Sequence, residues 1–146
     1  MALIEWTPAM SVGVEALDED HRRLIALLNQ LDAVARGEPA DLTAGEIVHE
    51  LVRYTEYHFA REERLMRLSR YPDTAHHVAI HRDIRRRMVS FEQKFLSAPP
   101  DAPHVEPLLA FLSEWLRRHI LGEDMQYRPY MTGEATPDGT APTSAA

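Results

Sequence analysis

Cysteine is absent from all 146 residues of this chain. That excludes disulfides, thiolate metal sites and a cysteine nucleophile. Positive charge is also in short supply: 16 Lys and Arg stand against 23 Asp and Glu, a formal net charge of -7. A general nucleic-acid binder needs a basic surface, so that class is set aside. No apolar run approaches the roughly 20 residues that cross a bilayer, and no membrane association is expected. The opening MALIEWTPAM lacks the basic-then-apolar order of a signal peptide. A cytoplasmic protein with one real core is the expectation. Strand-like alternation and internal repeats are missing too. What the chain has in excess is histidine, eight in all.

The most regular stretch is HVAIHRDIRRRMVSFEQKF, residues 77–95. His77, His81, Ile84, Met88, Phe91 and Phe95 recur at alternating spacings of four and three, the seam of a helix packed on other helices. Two of its seam positions are histidines one turn apart, which project from the same face. Such a pair is more often a satisfied feature of a helix end than a metal site. What decides is whether other helices send ligands to the same place.

Taken in order, residues 1–17 read as an irregular arm packing on the domain, with Trp6, Pro8 and Gly13. Asp18 is the expected N-cap of a helix over about 18–36 carrying His21, Leu24, Leu28 and Leu31, stopped by Gly37. Thr43 and Glu46 form a capping-box pattern for a second helix, to about Leu68, with Ile47, Leu51, His58 and Glu62 in register. Tyr71-Pro72-Asp73 turns into the third helix, which ends before Ala98. A fourth spans about 104–121 with Leu108, Leu112, Trp115 and His119 in line, loosened by Gly122. From 129 the tail, rich in Pro, Thr, Gly and Ala, reads as disordered. Short loops give an all-α, antiparallel up-down-up-down four-helix bundle over 18–128.

In that topology His21, His58, Glu62, His77, His81 and His119 all fall at one end of the bundle. Unrelated core histidines have no reason to share a level, so a metal site is the better reading. Five imidazoles with a carboxylate exceed one tetrahedral zinc, and two ions fit. Nitrogen and oxygen donors suit iron, manganese or zinc. Two close cations repel and need bridging anions, a role that suits Glu62. For a second bridge, ideal periodicity favours Glu123, four residues after His119, over Asp124, five after it. Gly122 lies between, so either residue could reach.

Trp6, SVGVEALDEDH ending in His21, His58-Phe-Ala-Arg-Glu62, Tyr71-Pro72, His77-Val-Ala-Ile-His81 and His119-Ile-Leu-Gly-Glu-Asp124 together resemble the hemerythrins, the bacterial branch most closely. The likeness covers about residues 6–127. It implies two non-heme irons. His77, His81 and His119 would hold one; His21 and His58 would hold the other. Glu62 and Asp124 would bridge them with an oxo or hydroxo group, since the family pattern favours Asp124. The likeness further implies reversible binding of dioxygen, end-on as a hydroperoxide at the iron with an open position, under an apolar cap of Leu24, Trp115 and Ile120.

The reading is therefore an oxygen-binding protein for storage, delivery or sensing, not an enzyme. A monomer is expected, with dioxygen as the only partner named. The competing readings are a di-iron redox enzyme acting on peroxide, nitric oxide or dioxygen, an iron-handling protein, and a structural metal module. Ferritin-like oxidases use more carboxylates, and the Glu46-x-x-His49 spacing of that class occurs here once instead of twice. His49, His76 and His104 are read as surface residues, and Arg85, Arg86 and Arg87 as a solvated face.

Overall fold

The computed structural model describes residues 3–97 and 105–134. Five α-helices run along them: α1 Glu15–Ala35, α2 Ala44–Leu68, α3 Thr74–Ser97, α4 Val105–Arg118 and α5 Met125–Met131. A 3-10 turn, Pro8–Met10, precedes α1, and a π-helical turn, His119–Asp124, joins α4 to α5 without a break. No strand occurs among the described residues. The architecture is a four-helix bundle whose fourth member is α4, the π turn and α5 in series.

Side-chain contacts fix the directions. Asp20, early in α1, meets His58, late in α2. Glu62, late in α2, meets His77, early in α3. His81, early in α3, meets His119 at the end of α4. Each neighbouring pair is antiparallel. The seam residues are buried as their spacing requires: Leu24, Leu28 and Leu31 in α1, Ile47 and Leu51 in α2, Ile84 and Met88 in α3, Leu108 and Leu112 in α4. A second cluster, Val12, Leu17, Met66, Tyr71 and Tyr127, closes the other end of the bundle around α5.

The Thr43–Glu46 capping box forms as expected, with Thr43 Oγ1 accepting from the Glu46 N–H at 3.2 Å. Asp18 does not cap α1. The helix starts a turn earlier at Glu15, and Asp18 is buried inside it. Its carboxylate accepts from Ser11 Oγ at 2.6 Å and from the Val12 N–H at 2.9 Å. It therefore caps the arm, tying residues 11–12 to α1 and satisfying backbone donors that burial would otherwise orphan.

The fourth helix corrects a larger expectation. It does not end near 121, and the tail does not begin at 129: the chain stays helical to Met131 with Pro129 inside α5. Proline at 129 gives up the bond to the Met125 carbonyl and crowds it, and the helix ends two residues later, so the disruption is confined to its last turn. Residues 135–146 of the expected tail, and His104, lie outside the described residues.

Candidate metal centre

All seven residues that the sequence assembled meet at one end of the bundle, each 2% exposed or less. They form two groups. One holds Glu62, His77, His81, His119 and Asp124; the other holds His21, His58, Glu62 and Asp124. In each group the candidate ligand atoms lie within 4.8 Å of one another.

The carboxylates split between the groups atom by atom. Glu62 Oε1 lies 2.8 Å from His77 Nε2 and 2.9 Å from His81 Nε2. Its Oε2 lies 3.0 Å from His58 Nε2 and 3.7 Å from His21 Nε2. Asp124 Oδ1 lies 3.1 Å from His77 Nε2 and 3.0 Å from His119 Nε2, whereas Oδ2 lies 3.1 Å from His21 Nε2. Each carboxylate thus turns one oxygen to a three-imidazole side and the other to a two-imidazole side.

Asp124 takes this place because of the π turn. In an α-helix the fourth residue after His119 would share its face. The wider i→i+5 turn over His119–Asp124 moves the fifth residue there. Asp124 is buried, and Glu123 is displaced to a half-buried position with Oε2 3.7 Å from His119 Nδ1. Turns of this kind are rare and cluster at functional sites.

Several buried atoms here make no well-directed hydrogen bond among the described residues, although some lie 3.0–3.1 Å from a polar neighbour: both nitrogens of His21, His119 Nδ1 and both oxygens of Asp124. His81 Nε2 and His119 Nε2 face each other at 3.2 Å, where only one can donate. Orphaned buried donors and acceptors cost about 1–3 kcal/mol each. A cation between the converging lone pairs removes that cost for His21 Nε2 and the Asp124 oxygens, which face the centre; the Nδ1 atoms of His21 and His119 lie on the outer side of their rings. Five imidazole nitrogens and two carboxylates without sulfur are a fitting donor set for iron, manganese or zinc.

Without metal, protons do that work. Burial alone would lower His21, but Asp124 and Glu62 outweigh it and raise its pKa to about 10. His77 behaves likewise and rises to about 9. Burial pushes Glu62 up, and His58, His21 and His77 more than reverse this, holding it well below the usual carboxylate range. Burial and Glu62 push Asp124 up, yet His119 and His21 hold it below that range as well.

Outer partners orient the rings. His58 Nδ1 donates to Asp20 Oδ2 at 3.0 Å, and His81 Nδ1 to Glu63 Oε2 at 3.1 Å, leaving each Nε2 toward the centre. Asp20 also accepts from Tyr54 Oη at 2.9 Å. Burial would raise Asp20, but bonds from His58 and Tyr54 and the charge of Arg61 lower it. Phe59 stacks on His81 at 3.7 Å, and Trp115 on His119 at 4.9 Å. Tyr127 Oη donates to Glu62 Oε2 at 2.9 Å. Sequence reasoning missed Asp20, Glu63 and Tyr127. Asp20 and Glu63 each sit beside a candidate ligand, and Tyr127 follows Asp124 by three residues, a spacing that carries meaning only if the helix continues.

Of the three apolar residues, Leu24 and Trp115 line a void of about 10 Å³ together with Leu28, Leu51, Met88 and Leu112. That is about the threshold for a single water-sized molecule. Ile120 is fully buried beside His119 but does not line it. His49 and His76 are exposed; His49 Nδ1 pairs with Glu92 at 3.3 Å. No described helix is long and apolar enough to cross a membrane.

Comparison with known proteins agrees with this arrangement. The bacteriohemerythrin of Stenotrophomonas maltophilia (strain R551-3) is 35% identical over 127 residues, covering 87% of this chain and 80% of the relative. The myohemerythrin of Theromyzon tessulatum is 30% identical over 124 residues, covering 85% and 90%. The crystal structure of a wild-type hemerythrin superposes with a TM-score of 0.79 at 27% identity, covering 90% of this chain and 99% of that one. The profile of the Hemerythrin HHE cation binding domain matches residues 12–131. With that match spanning most of its length, this chain belongs to the hemerythrin family.

Proposed function

We propose that this chain holds two iron ions and with them binds dioxygen reversibly, as a store, carrier or sensor and not as an enzyme. In this reading His77, His81 and His119 hold one iron, and His21 and His58 hold the other. Glu62 and Asp124 span both, together with a solvent-derived oxo or hydroxo group. The observation that carries the proposal is the division of each carboxylate's two oxygens between a three-imidazole and a two-imidazole group. Bridging carboxylates need that disposition, and the smaller group leaves room for a further ligand. When bound, two ferrous ions supply the electron pair that dioxygen draws on and recover it on release.

The chain's own residues make the binding reversible. Asp20 and Glu63 fix the tautomers of His58 and His81, so that neutral nitrogens face the metals. Phe59 and Trp115 pin the rings of His81 and His119 by stacking. Leu24, Trp115 and Ile120 form the apolar surround that keeps out water and protons. The names of the bacteriohemerythrin and myohemerythrin relatives support the reading.

The test is an optical spectrum of anaerobically iron-loaded protein before oxygen, after oxygen and after purging with inert gas, with iron counted on the same sample. Two irons per chain and charge-transfer bands that come and go with oxygen are expected. Bands that appear once and persist would replace the proposal with a redox or iron-handling role. A colourless zinc protein would leave a structural metal.

A further inference from the structure

Between the start of α1 and the end of α2 runs an open groove of about 480 Å³. That is within the usual size of a small-ligand site, about 300–1,000 Å³. Val14, Ala16, Ala60 and Leu65 give it apolar walls, with Tyr57 at one side. Its charged side chains are Arg61 and Arg64, and no carboxylate lines it. In a chain with a net charge of -7, the local sign is reversed.

The two arginines differ. Arg61 is engaged: its guanidinium lies over the Tyr57 ring at 4.8 Å, and its Nε is 3.5 Å from Asp20 Oδ2. Arg64 is exposed and makes no hydrogen bond or ion pair among the described residues. The helix itself explains why. A helical arginine finds its acid three or four positions away, as Arg22, Arg67, Arg87 and Arg118 do with Glu19, Glu63, Asp83 and Glu114. At those positions from Arg64 stand Ala60, Arg61, Arg67 and Leu68. Arg64 therefore presents its planar fork to an outside anion, a shape that suits a carboxylate.

An apolar trough with a cation at its edge fits a molecule with an apolar tail and one anionic head. The trough follows α2 from Tyr57 to Leu65, a rise of about 12 Å. That length suits one acyl chain and is short for a docked helix. A two-fold pairing of α2 with a second copy, centred between Arg61 and Arg64, would set those arginines against each other.

We propose that the groove binds a single-chain carboxylate of the fatty-acid class, its head on Arg64 and its chain along Ala60 and Leu65, and that Arg61 couples its presence to the metal centre. The coupling rests on the di-iron reading above. Asp20 Oδ2 accepts from His58 Nδ1 at 3.0 Å and is the same oxygen that Arg61 faces. A carboxylate in the groove competes for Arg61. As the guanidinium turns to it, the His58 bond holds more of Asp20 Oδ2, and His58 becomes a stronger donor on the two-imidazole side. That favours the oxygenated state, so the carboxylate and dioxygen strengthen each other's binding.

The first measurement is calorimetric titration of the full-length chain as purified, its iron counted, with decanoate below the micelle concentration. Saturable binding of one decanoate per chain is expected. Arg64→Glu should weaken it roughly tenfold or more. Ala60→Trp, which fills the groove, should abolish it, and decanol should bind far less than decanoate. No saturable binding overturns the site, as does equal binding of decanol or binding that neither substitution alters. A dimer in light scattering that Ala60→Trp dissolves gives the groove to a second copy and overturns the site too. The second measurement is an oxygen titration of iron-loaded chain. Decanoate should lower the half-saturating oxygen pressure, and Arg61→Gln should keep decanoate binding but lose that shift. Binding without a shift overturns the coupling alone. A chain that takes up no iron overturns the di-iron reading and the coupling together, and the calorimetry still decides the site.

Discussion

His21, His58, His81 and His119 form one layer of the bundle, and Leu28, Leu51, Met88 and Leu112 form another, each residue seven positions from its counterpart on the same helix. All eight are buried on the same seam, about two turns or 10 Å apart. The heptad pattern decides that these positions are inside, and it does so identically for both layers. It does not decide what they do there. The apolar layer stabilises by removing carbon from water, on the order of 1.5–3 kcal/mol per side chain. The polar layer gains nothing that way. It is tolerable only because its groups answer one another, through protons or through a bound cation.

Breaking the polar layer should have the largest effect. Glu62→Ala removes the one residue with an oxygen within 4.0 Å of the inner nitrogens of all five imidazoles. Iron per chain, measured after loading, should fall from two to below one with the helical content retained. Unchanged stoichiometry would sink the assignment. Asp124→Ala should cost more iron than Glu123→Ala, since the π turn gives Asp124 the buried position. The reverse order would mean that the turn relaxes to a plain α-helix when metal binds.

Breaking the apolar layer should have the complementary result. Leu28 is 1% exposed, and Leu28→Ala should cost about 2–5 kcal/mol through lost burial and the cavity left behind. Urea unfolding measures that loss, and the iron count per folded chain should not change. A variant that unfolds normally but loses iron would show that the two layers are coupled.

Both layers were legible in the sequence for the same reason. A spacing of four and three marks a seam, and an antiparallel order puts the start of α1 and α3 beside the end of α2 and α4. The reading failed where rotation about a helix axis matters. Nothing in His119-Ile-Leu-Gly-Glu-Asp124 announces a π turn, so residue counting alone left Glu123 and Asp124 open until the family likeness favoured Asp124. Asp20 and Glu63 flank the seam, and whether a flanking carboxylate turns inward depends on fractions of a turn. Asp18 reads as a cap from its place before an apolar run, yet what it caps is the arm. Pro129 reads as a stop because proline usually is one.

Titration sharpens the comparison, because only the polar layer responds to protons. In the iron-free protein His21 and His77 have folded pKa values of about 10 and about 9, above the ordinary imidazole value. Their protonated forms therefore stabilise the fold fully below the ordinary value, and that stabilisation is lost as pH rises through 9 and 10. Glu62 and Asp124 are depressed, so their contribution is present above the ordinary carboxylate range and lost on acidification through their lowered values. Denaturation of iron-free protein should show stability falling between neutral pH and about pH 11. Iron-loaded protein, whose imidazoles are neutral and held by metal, should lose much less. Metal uptake at neutral pH should release protons, measurable in weak buffer.

The smallest effect concerns the turns at the two ends. Gly37 after α1, at the apolar end, and Arg70 after α2, at the polar end, both adopt left-handed backbone, with φ of 81° and 58°. In both turns the next residue's N–H bonds back into the helix: Glu38 to Ala33 and Tyr71 to Met66, each at 3.0 Å. The same turn is thus built once with glycine and once without. A Cβ at Gly37 would meet nothing within 4 Å, so Gly37→Ala isolates the backbone strain and should cost about 1 kcal/mol. Arg70→Gly should gain less than that, because glycine's extra freedom in the unfolded chain takes back about 0.5–1 kcal/mol. Thermal unfolding of the two variants measures both. Arg70→Gly lowering stability would show that the arginine side chain, exposed at the mouth of the polar end, supplies more than the strain of its backbone costs.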